Sequence, residues 1–250
     1  MTKKESHTST NDSKSRVNPL PWVGGALFVL GLAVVAGLYW SSKMKVQEIY
    51  FEGHHFVTEE QLREFEIPTG LHPDSLNSLE IISRFEQMPY VKRAAMDVEP
   101  SGNITIHISE RQPVAMLPGE GSEMYIDRDG ILLQPVPGQT VNVPLLYGFD
   151  AHPPGDTLSG RNAGAAANFL AQLREKPVSN ATISEVAWTE NGIVALTNDH
   201  GVKLLFGKED FNTRLRNWEA FYAEIIKQKG IENMQSIDLR FQEQIVTREQ

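Results

Sequence analysis

The sequence predicts an α+β protein in three parts: a single N-terminal transmembrane helix, a β-α-α-β-β domain, and a C-terminal, mainly antiparallel β domain with packed helices. Three observations carry this. An uncharged apolar run, PWVGGALFVLGLAVVAGLYW, fills residues 21–40. After it, apolar and polar residues repeatedly alternate with period two between turn signals. Between those stretches lie others whose apolar residues recur at helical spacing.

The apolar run is long enough to matter. At about 1.5 Å per residue, a helix of about 20 residues covers a hydrocarbon core of about 30 Å. Trp22 at one end, and Tyr39 and Trp40 at the other, stand where interfacial anchors belong. Nothing comparably apolar follows, so a buried core helix would lack a packing partner. Lys3, Lys4, Lys14 and Arg16 precede the run, and only Lys43 and Lys45 follow it closely. The positive-inside rule then places the N-terminus in the cytoplasm. A cleaved signal peptide needs a shorter apolar region and a small-x-small site, which LYWSS at 38–42 does not supply. An uncleaved anchor over 21–41 is therefore expected, with a disordered polar tail at 1–20. Ala33 and Gly37 form a small-xxx-small pair suited to helix packing.

Charge divides at the anchor. Four of the 23 Lys and Arg and two of the 32 Asp and Glu precede it, leaving 19 basic and 30 acidic residues beyond. That acidic balance argues against nucleic acid as a partner and against lying flat on anionic lipid. The chain has no cysteine, so its core must hold it without disulfides.

The outer region reads in order. KVQEIYFEG at 45–53 alternates and ends at Gly53, a strand. Thr58 and Gln61 fit a capping box for a short helix reaching about residue 66. Leu76, Leu79, Ile82, Phe85 and Met88 form an apolar stripe that Pro89 stops. Strands follow at 90–99 and 103–110. In the second, Ile104, Ile106 and Ile108 share one face, with Thr105, His107 and Ser109 on the other. His107 reads as a solvated strand residue, with no second histidine or carboxylate spaced to join it. YIDRDGILL at 125–133 reads as a hairpin around Asp129-Gly130. A helix is expected at 161–176, with Ala166, Phe169, Leu170 and Leu173 on one face. A meander follows through 183–188, 193–197 and 202–206, turning at Asn191-Gly192. Asp210 is expected to cap a long helix to about residue 229, with Phe211, Leu215, Trp218, Tyr222 and Ile225 as a core stripe. The last alternating strand is MQSIDLRF at 234–241.

No catalytic constellation emerges. The seven histidines are scattered, and the adjacent pair His54-His55 would point apart on an extended chain. Ser42 and Lys45 match Ser-x-x-Lys, but the Ser-Asp-Asn and Lys-Thr-Gly partners are missing. Asp127-x-Asp129-Gly130 lacks the further ligands of a calcium loop. Gly207-Lys208 has no preceding phosphate-binding loop. No metal or cofactor is expected. A terminal strand offers a different mechanism, because its free main-chain groups can take an added strand from a partner.

A β-α-α-β-β unit directly after one membrane helix, with PYVK at 89–92 and ERQPVA at 110–115, resembles the POTRA domain of the bacterial FtsQ (DivIB) cell-division family. VPLLYG at 143–148 is similar to a segment of that family's β domain, and IDLRF at 237–241 to its terminal Val/Ile-Asp-Leu-Arg-Tyr signature. The likeness is drawn to gammaproteobacterial members. It implies a POTRA domain at 45–113, a β domain at 114–242, and a tail or edge-strand extension at 243–250. It implies a non-enzymatic inner-membrane scaffold at the septum with its C-terminal region in the periplasm, binding FtsB and FtsL in a ternary complex. Other divisome proteins such as FtsK, FtsW, FtsI and FtsN are further implied partners. Carried onto this chain, the FtsB-binding positions are Asp238, Arg240 and Phe241, with Gln242 and Glu243 beside them. A POTRA surface at Arg93 and Met96 is implied for other divisome contacts. One departure is QEQIV at 242–246, where family members often continue with Gly and aromatic residues. Two rival readings are a membrane-anchored cell-wall hydrolase, which shares the location but needs a catalytic constellation, and a POTRA-bearing transport or assembly component, which would usually be joined to an outer-membrane barrel whose strand repeat is not seen here.

Overall fold

A computed structural model describes residues 20–41, 44–119, 123–150 and 152–249. The tail expected at 1–20 lies outside these but for Leu20, as do Ser42 and Lys43. The first element is helix α1, Leu20–Ser41, 22 residues long. Its described side chains, residues 23–39, are all exposed, so the helix is not part of a core in this fold. Among the described residues, no helix is long and apolar enough to cross a membrane; in α1 only those 17 positions have described side chains.

The next unit has the expected element order: β1 (Ile49–Glu52), α2 (Glu59–Arg63), α3 (Ser78–Glu86), β2 (Val91–Val98) and β3 (Ile104–Glu110). The sheet order is β1-β3-β2. β3 is central, pairing parallel to β1 and antiparallel to β2. Its alternation holds: Ile104, Ile106 and Ile108 are buried beside Leu62 and Phe85. Thr58 caps α2 with both bonds of the capping box. The chain leaving β1 turns at Gly53, with φ +80°, where a Cβ would stand 2.3 Å from the Ile108 carbonyl oxygen. The loop after it is fixed by Glu110, whose carboxylate accepts the N–H groups of Phe56 (2.9 Å) and Val57 (2.8 Å).

The second unit is a nine-stranded sheet. Its strands are β4 (Pro113–Leu117), β5 (Met124–Asp127), β6 (Leu132–Leu133), β7 (Leu145–Tyr147), β8 (Ile183–Thr189), β9 (Gly192–Thr197), β10 (Lys203–Gly207), β11 (Met234–Asp238) and β12 (Val246–Glu249). Their order is β12-β11-β10-β9-β8-β7-β4-β5-β6. The sheet is more mixed than the sequence suggested. β4–β7, β7–β8 and β10–β11 are parallel, and the other pairs antiparallel. Two of the parallel pairs enclose helical crossovers, the connection that parallel neighbours require. Between β7 and β8 run α4 (Ala163–Arg174) and α5 (Pro177–Thr182); between β10 and β11 runs α6 (Phe211–Phe221).

These helices cover one sheet face. Phe169, Leu170, Leu215 and Trp218 are buried there against Val186, Ala195, Leu204 and Ile237. The helix after residue 210 runs on to Lys229 as expected, but not as one α-helix: α6 passes into a π turn over Tyr222–Ile226 and then α7 (Lys227–Lys229). Asp210 does not cap α6; it sits at φ +53° with no side-chain cap bond. α4 stops at Arg174, short of the expected residue 176, and α5 is a separate helix that the spacing of apolar residues does not predict. Pro177 starts α5, and the Glu219 carboxylate on α6 accepts the N–H groups of Val178 and Ser179, each at 2.9 Å.

The two units are clasped. Only Arg111 and Gln112 separate β3 from β4. Tyr125 and Leu133 bury themselves in the core of the first unit. The Tyr90 hydroxyl donates to the Gln134 carbonyl at 2.7 Å, and burial pushes its pKa up to about 12. Arg111 reaches Asp127 at 2.7 Å and Asp129 at 3.3 Å, and Lys92 meets Asp129 at 2.7 Å. Asp127 is 1% exposed. Its other oxygen accepts the N–H groups of Asp129 and Ile131, which shapes the β5–β6 turn.

The clasp has an unequal balance. Arg111→Ala removes the ionic partner of a buried carboxylate that keeps two backbone donors, and should destabilise the fold by about 1–3 kcal/mol in urea unfolding. Lys92→Ala removes a half-exposed pair and should cost under about 1 kcal/mol. The Lys92 hydrogen bond, helped by the charges of Lys92, Arg111 and Arg128, holds the Asp129 carboxyl below its ordinary range against the opposing effect of burial. The Lys92 contribution is therefore present above the ordinary carboxylate range and lost as pH falls through the depressed value. The difference between wild type and Lys92→Ala should close on acidification.

Candidate protein-interaction site

The C-terminal end of the large sheet gathers Asp238, Arg240, Phe241, Gln242 and Glu243. β11 lies parallel to β10, with Leu204 opposite Ile237 and Leu205 opposite Asp238. Leu239 prolongs this pairing, its N–H donating to the Leu205 carbonyl at 3.0 Å. Ile237 and Leu239 are buried, which turns Asp238 and Arg240 to the other face. The Asp238 carboxylate grips Arg240: Oδ1 accepts Nε at 2.8 Å and the backbone N–H at 3.1 Å, and Oδ2 accepts Nη2 at 2.5 Å. Burial alone would push the Asp238 carboxyl up. The bonds from Arg240, with the charges of Arg240 and Arg214, outweigh burial and hold it below the ordinary range.

Glycine is needed where Arg240 crosses the end of β10. Gly207 has φ +74°, and a Cβ there would meet Arg240 Cγ at 3.2 Å and Arg214 Nη1 at 2.6 Å. Arg214 in turn donates to the Phe206 carbonyl. The Arg240 guanidinium thus leaves its strand as a fixed fork, with five donors of which the acid uses part.

Beyond Arg240 the chain turns. Phe241 is 45% exposed, Gln242 and Glu243 are exposed, and Ile245 returns to pack on the core. β12 then runs antiparallel beside β11, pairing Val246 with Asp238 and Thr247 with Ile237. The segment expected as a tail or edge extension at 243–250 is thus largely a strand. Asp238 lies in a strand covered on both sides, Arg240 to Glu243 lie in the turn that follows, and the open edge belongs to β12. All four β12 residues are exposed, so neither of its faces is covered.

One lining was not found from the sequence. The sheet face opposite the helices holds a shallow groove of about 530 Å³ beside Arg240, bordered by Tyr147, Glu185, Val194, Leu196, Lys203 and Leu205. A signal did exist: residues 193–196, IVAL, are apolar on both faces of β9, where a strand with one wet face would alternate.

Arg93 and Met96 do not share a surface. Both are on β2, whose outer edge is unpaired. Arg93 is exposed opposite Ser109, whereas Met96 packs against the core opposite Ile106. His107 is exposed as expected, but it does have carboxylate neighbours. Pairing with β1 brings Glu52 to 3.2 Å from its Nδ1, and Asp97 on β2 lies 4.0 Å from Nε2. Period-two reading within one strand cannot see such cross-strand neighbours. Among the described residues, no group of three or more His, Asp or Glu is placed to hold a metal ion.

Comparison with known proteins identifies the fold's relatives. The family described as FtsQ/DivIB, C-terminal related, matches residues 112–248. Cell division protein FtsQ of Rhodothermus marinus is 31% identical over 232 residues, covering 89% of this chain and 84% of that one. Cell division protein FtsQ of Salinibacter ruber is 25% identical over 240 residues, covering 90% and 91%. A solved structure, the major extracytoplasmic domain of DivIB from Geobacillus stearothermophilus, is 21% identical, with a TM-score of 0.33, and covers 48% of this chain and 97% of that one. On the family match over the large sheet and on the Rhodothermus marinus relative, the chain belongs to the FtsQ/DivIB family of cell-division proteins.

Proposed function

We propose that this protein is a non-catalytic divisome scaffold that crosses the inner membrane once, with its N-terminus in the cytoplasm. It binds FtsB and FtsL through the C-terminal end of its large periplasmic sheet. In this role it links early division proteins, with FtsK, FtsW, FtsI and FtsN as further contacts, to the machinery that builds septal peptidoglycan. The observation that carries the reading is β12: an edge strand with an open row of main-chain donors and acceptors and no covered face. A partner strand laid along it gains affinity from the ladder. Phe241, Gln242 and Glu243 at the turn, and Arg240 at the neighbouring groove, supply the side-chain choice. For the membrane anchor the support is α1, 22 residues long and exposed along its described length. At about 1.5 Å per residue it reaches about 33 Å, close to the hydrocarbon thickness.

Binding of the full chain in lipid nanodiscs to a labelled FtsB periplasmic segment tests this. Phe241→Lys and Arg240→Glu should each weaken binding about tenfold or more, the scale of an aromatic or arginine hot spot. Arg93→Glu should leave it unchanged. Equal affinity of all three variants would remove the proposed site. Hydrogen exchange reads the mode of binding: amides of residues 246–249 should slow when FtsB is added, and unchanged exchange there would rule out strand addition. Because Asp238 stays ionised below the ordinary carboxylate range, the Arg240 fork should persist under mildly acidic conditions. Affinity should stay flat from about pH 8 to about pH 5.

A further inference from the structure

The apolar stripe on α3 has one member without cover. Phe85 is fully buried, but Leu79 is 80% exposed. Leu71 and Val98 are exposed apolar residues of the same unit. All three lie toward one end of it. The Leu71 carbonyl accepts the Val46 N–H at 2.9 Å, and the Val46 carbonyl accepts the Gly70 N–H at 2.8 Å. Val98 pairs with Ile104, whose N–H donates to the Glu48 carbonyl, and the turn after β2 accepts the Gln47 N–H at Gly102. α3 connects to β2 through only four residues, 87–90, and its last residue, Glu86, accepts the Ala94 N–H on β2. Helix and strand therefore run antiparallel, with Leu79 toward the Val98 end.

That end is the one nearest α1. Val46 follows Ser41, the last residue of α1, by five positions. Five residues reach at most about 18 Å even when fully extended. We propose that this end of the first unit is a bilayer-contact surface, with Leu71, Leu79 and Val98 seated in the interfacial layer of the membrane; the proposal rests on the reading of α1 as an anchor. The polar layer on each side of the hydrocarbon core is about 5–8 Å deep, well within the tether's reach. A tether this short raises the local concentration to the millimolar range, so three apolar side chains suffice without a strong intrinsic affinity. Glu48, Asp74, Glu80 and Glu99 around the patch are exposed, against Lys45 and Arg84, which pairs with Glu80 at 2.5 Å. The attraction is therefore apolar insertion between zwitterionic headgroups and not charge pairing with anionic lipid.

The chain has no cysteine, which permits single-site labelling. The full chain, carrying Leu30→Cys, Leu71→Cys, Leu79→Cys or Val246→Cys with an environment-sensitive fluorophore, is placed in phosphatidylcholine nanodiscs. Lipids bearing a shallow or a deep nitroxide serve as quenchers. The shallow quencher should dim the labels at 71 and 79 by about twofold, as for groups at the headgroup boundary, and leave 246 unchanged. Leu79→Asp should reduce the quenching at 71. The deep quencher should dim the label at 30. If 30 is quenched while 71 and 79 behave like 246, the bilayer contact is wrong and the anchor stands. If 30 is not quenched, the anchor reading falls and the contact with it.

Discussion

Two adjacent charged residues, Glu110 and Arg111, join the halves of this molecule. The Glu110 carboxylate turns back into the first unit and holds the N–H groups of Phe56 and Val57. The Arg111 guanidinium turns forward and holds the Asp127 carboxylate that shapes the β5–β6 turn. An acid used as an acceptor for backbone donors and an arginine used as a donor to a buried acid are each satisfied locally, so the pair need not neutralise itself. The linker between the units is thereby reduced to two residues with both sides fixed. Tyr125 and Leu133 can then be buried across the boundary without leaving a free hinge.

The large sheet places its resources asymmetrically. Its helix-covered face holds the core, and the β5–β6 margin is consumed by docking against the first unit. What remains open is the opposite face and the β12 margin. The crossovers through α4, α5 and α6 produce this arrangement, because parallel neighbours require a connection that passes over one face. The proposed interaction site lies where the chain emerges from the last crossover, at the opposite margin from the docked one. A partner can occupy it without competing with the contacts between the units.

Local chemistry was legible where a residue's role depends on its chain neighbours. The alternation of Ile104, Ile106 and Ile108, the capping box at Thr58, and the core stripe of Phe211, Leu215 and Trp218 all depend on spacing along the chain, and the structure has them. The segment 237–241 was legible as important, but its surroundings were not. Nothing within IDLRF shows that QEQIV will turn and that the final residues will fold back along β11. Likewise α5 has no cap of its own and borrows one from Glu219, about forty residues on. Leu79 fits a helical stripe by spacing, yet it is exposed, and spacing along the chain cannot tell a covered stripe position from an open one. The Glu52–His107–Asp97 grouping arises from strand pairing, and pairing is a long-range choice.

The exposure of β12 also bears on how this protein can change over time. No β12 side chain contributes to the core, so the strand is positioned by its ladder to β11 and by Ile245 just before it. Substitutions at Val246, Thr247, Arg248 and Glu249 therefore escape the packing penalty that constrains β8 to β11. The side chains of β12 are thus separated from those on which folding depends. Such an edge can drift toward a new partner, or follow an evolving one, at almost no cost to the stability of the sheet behind it.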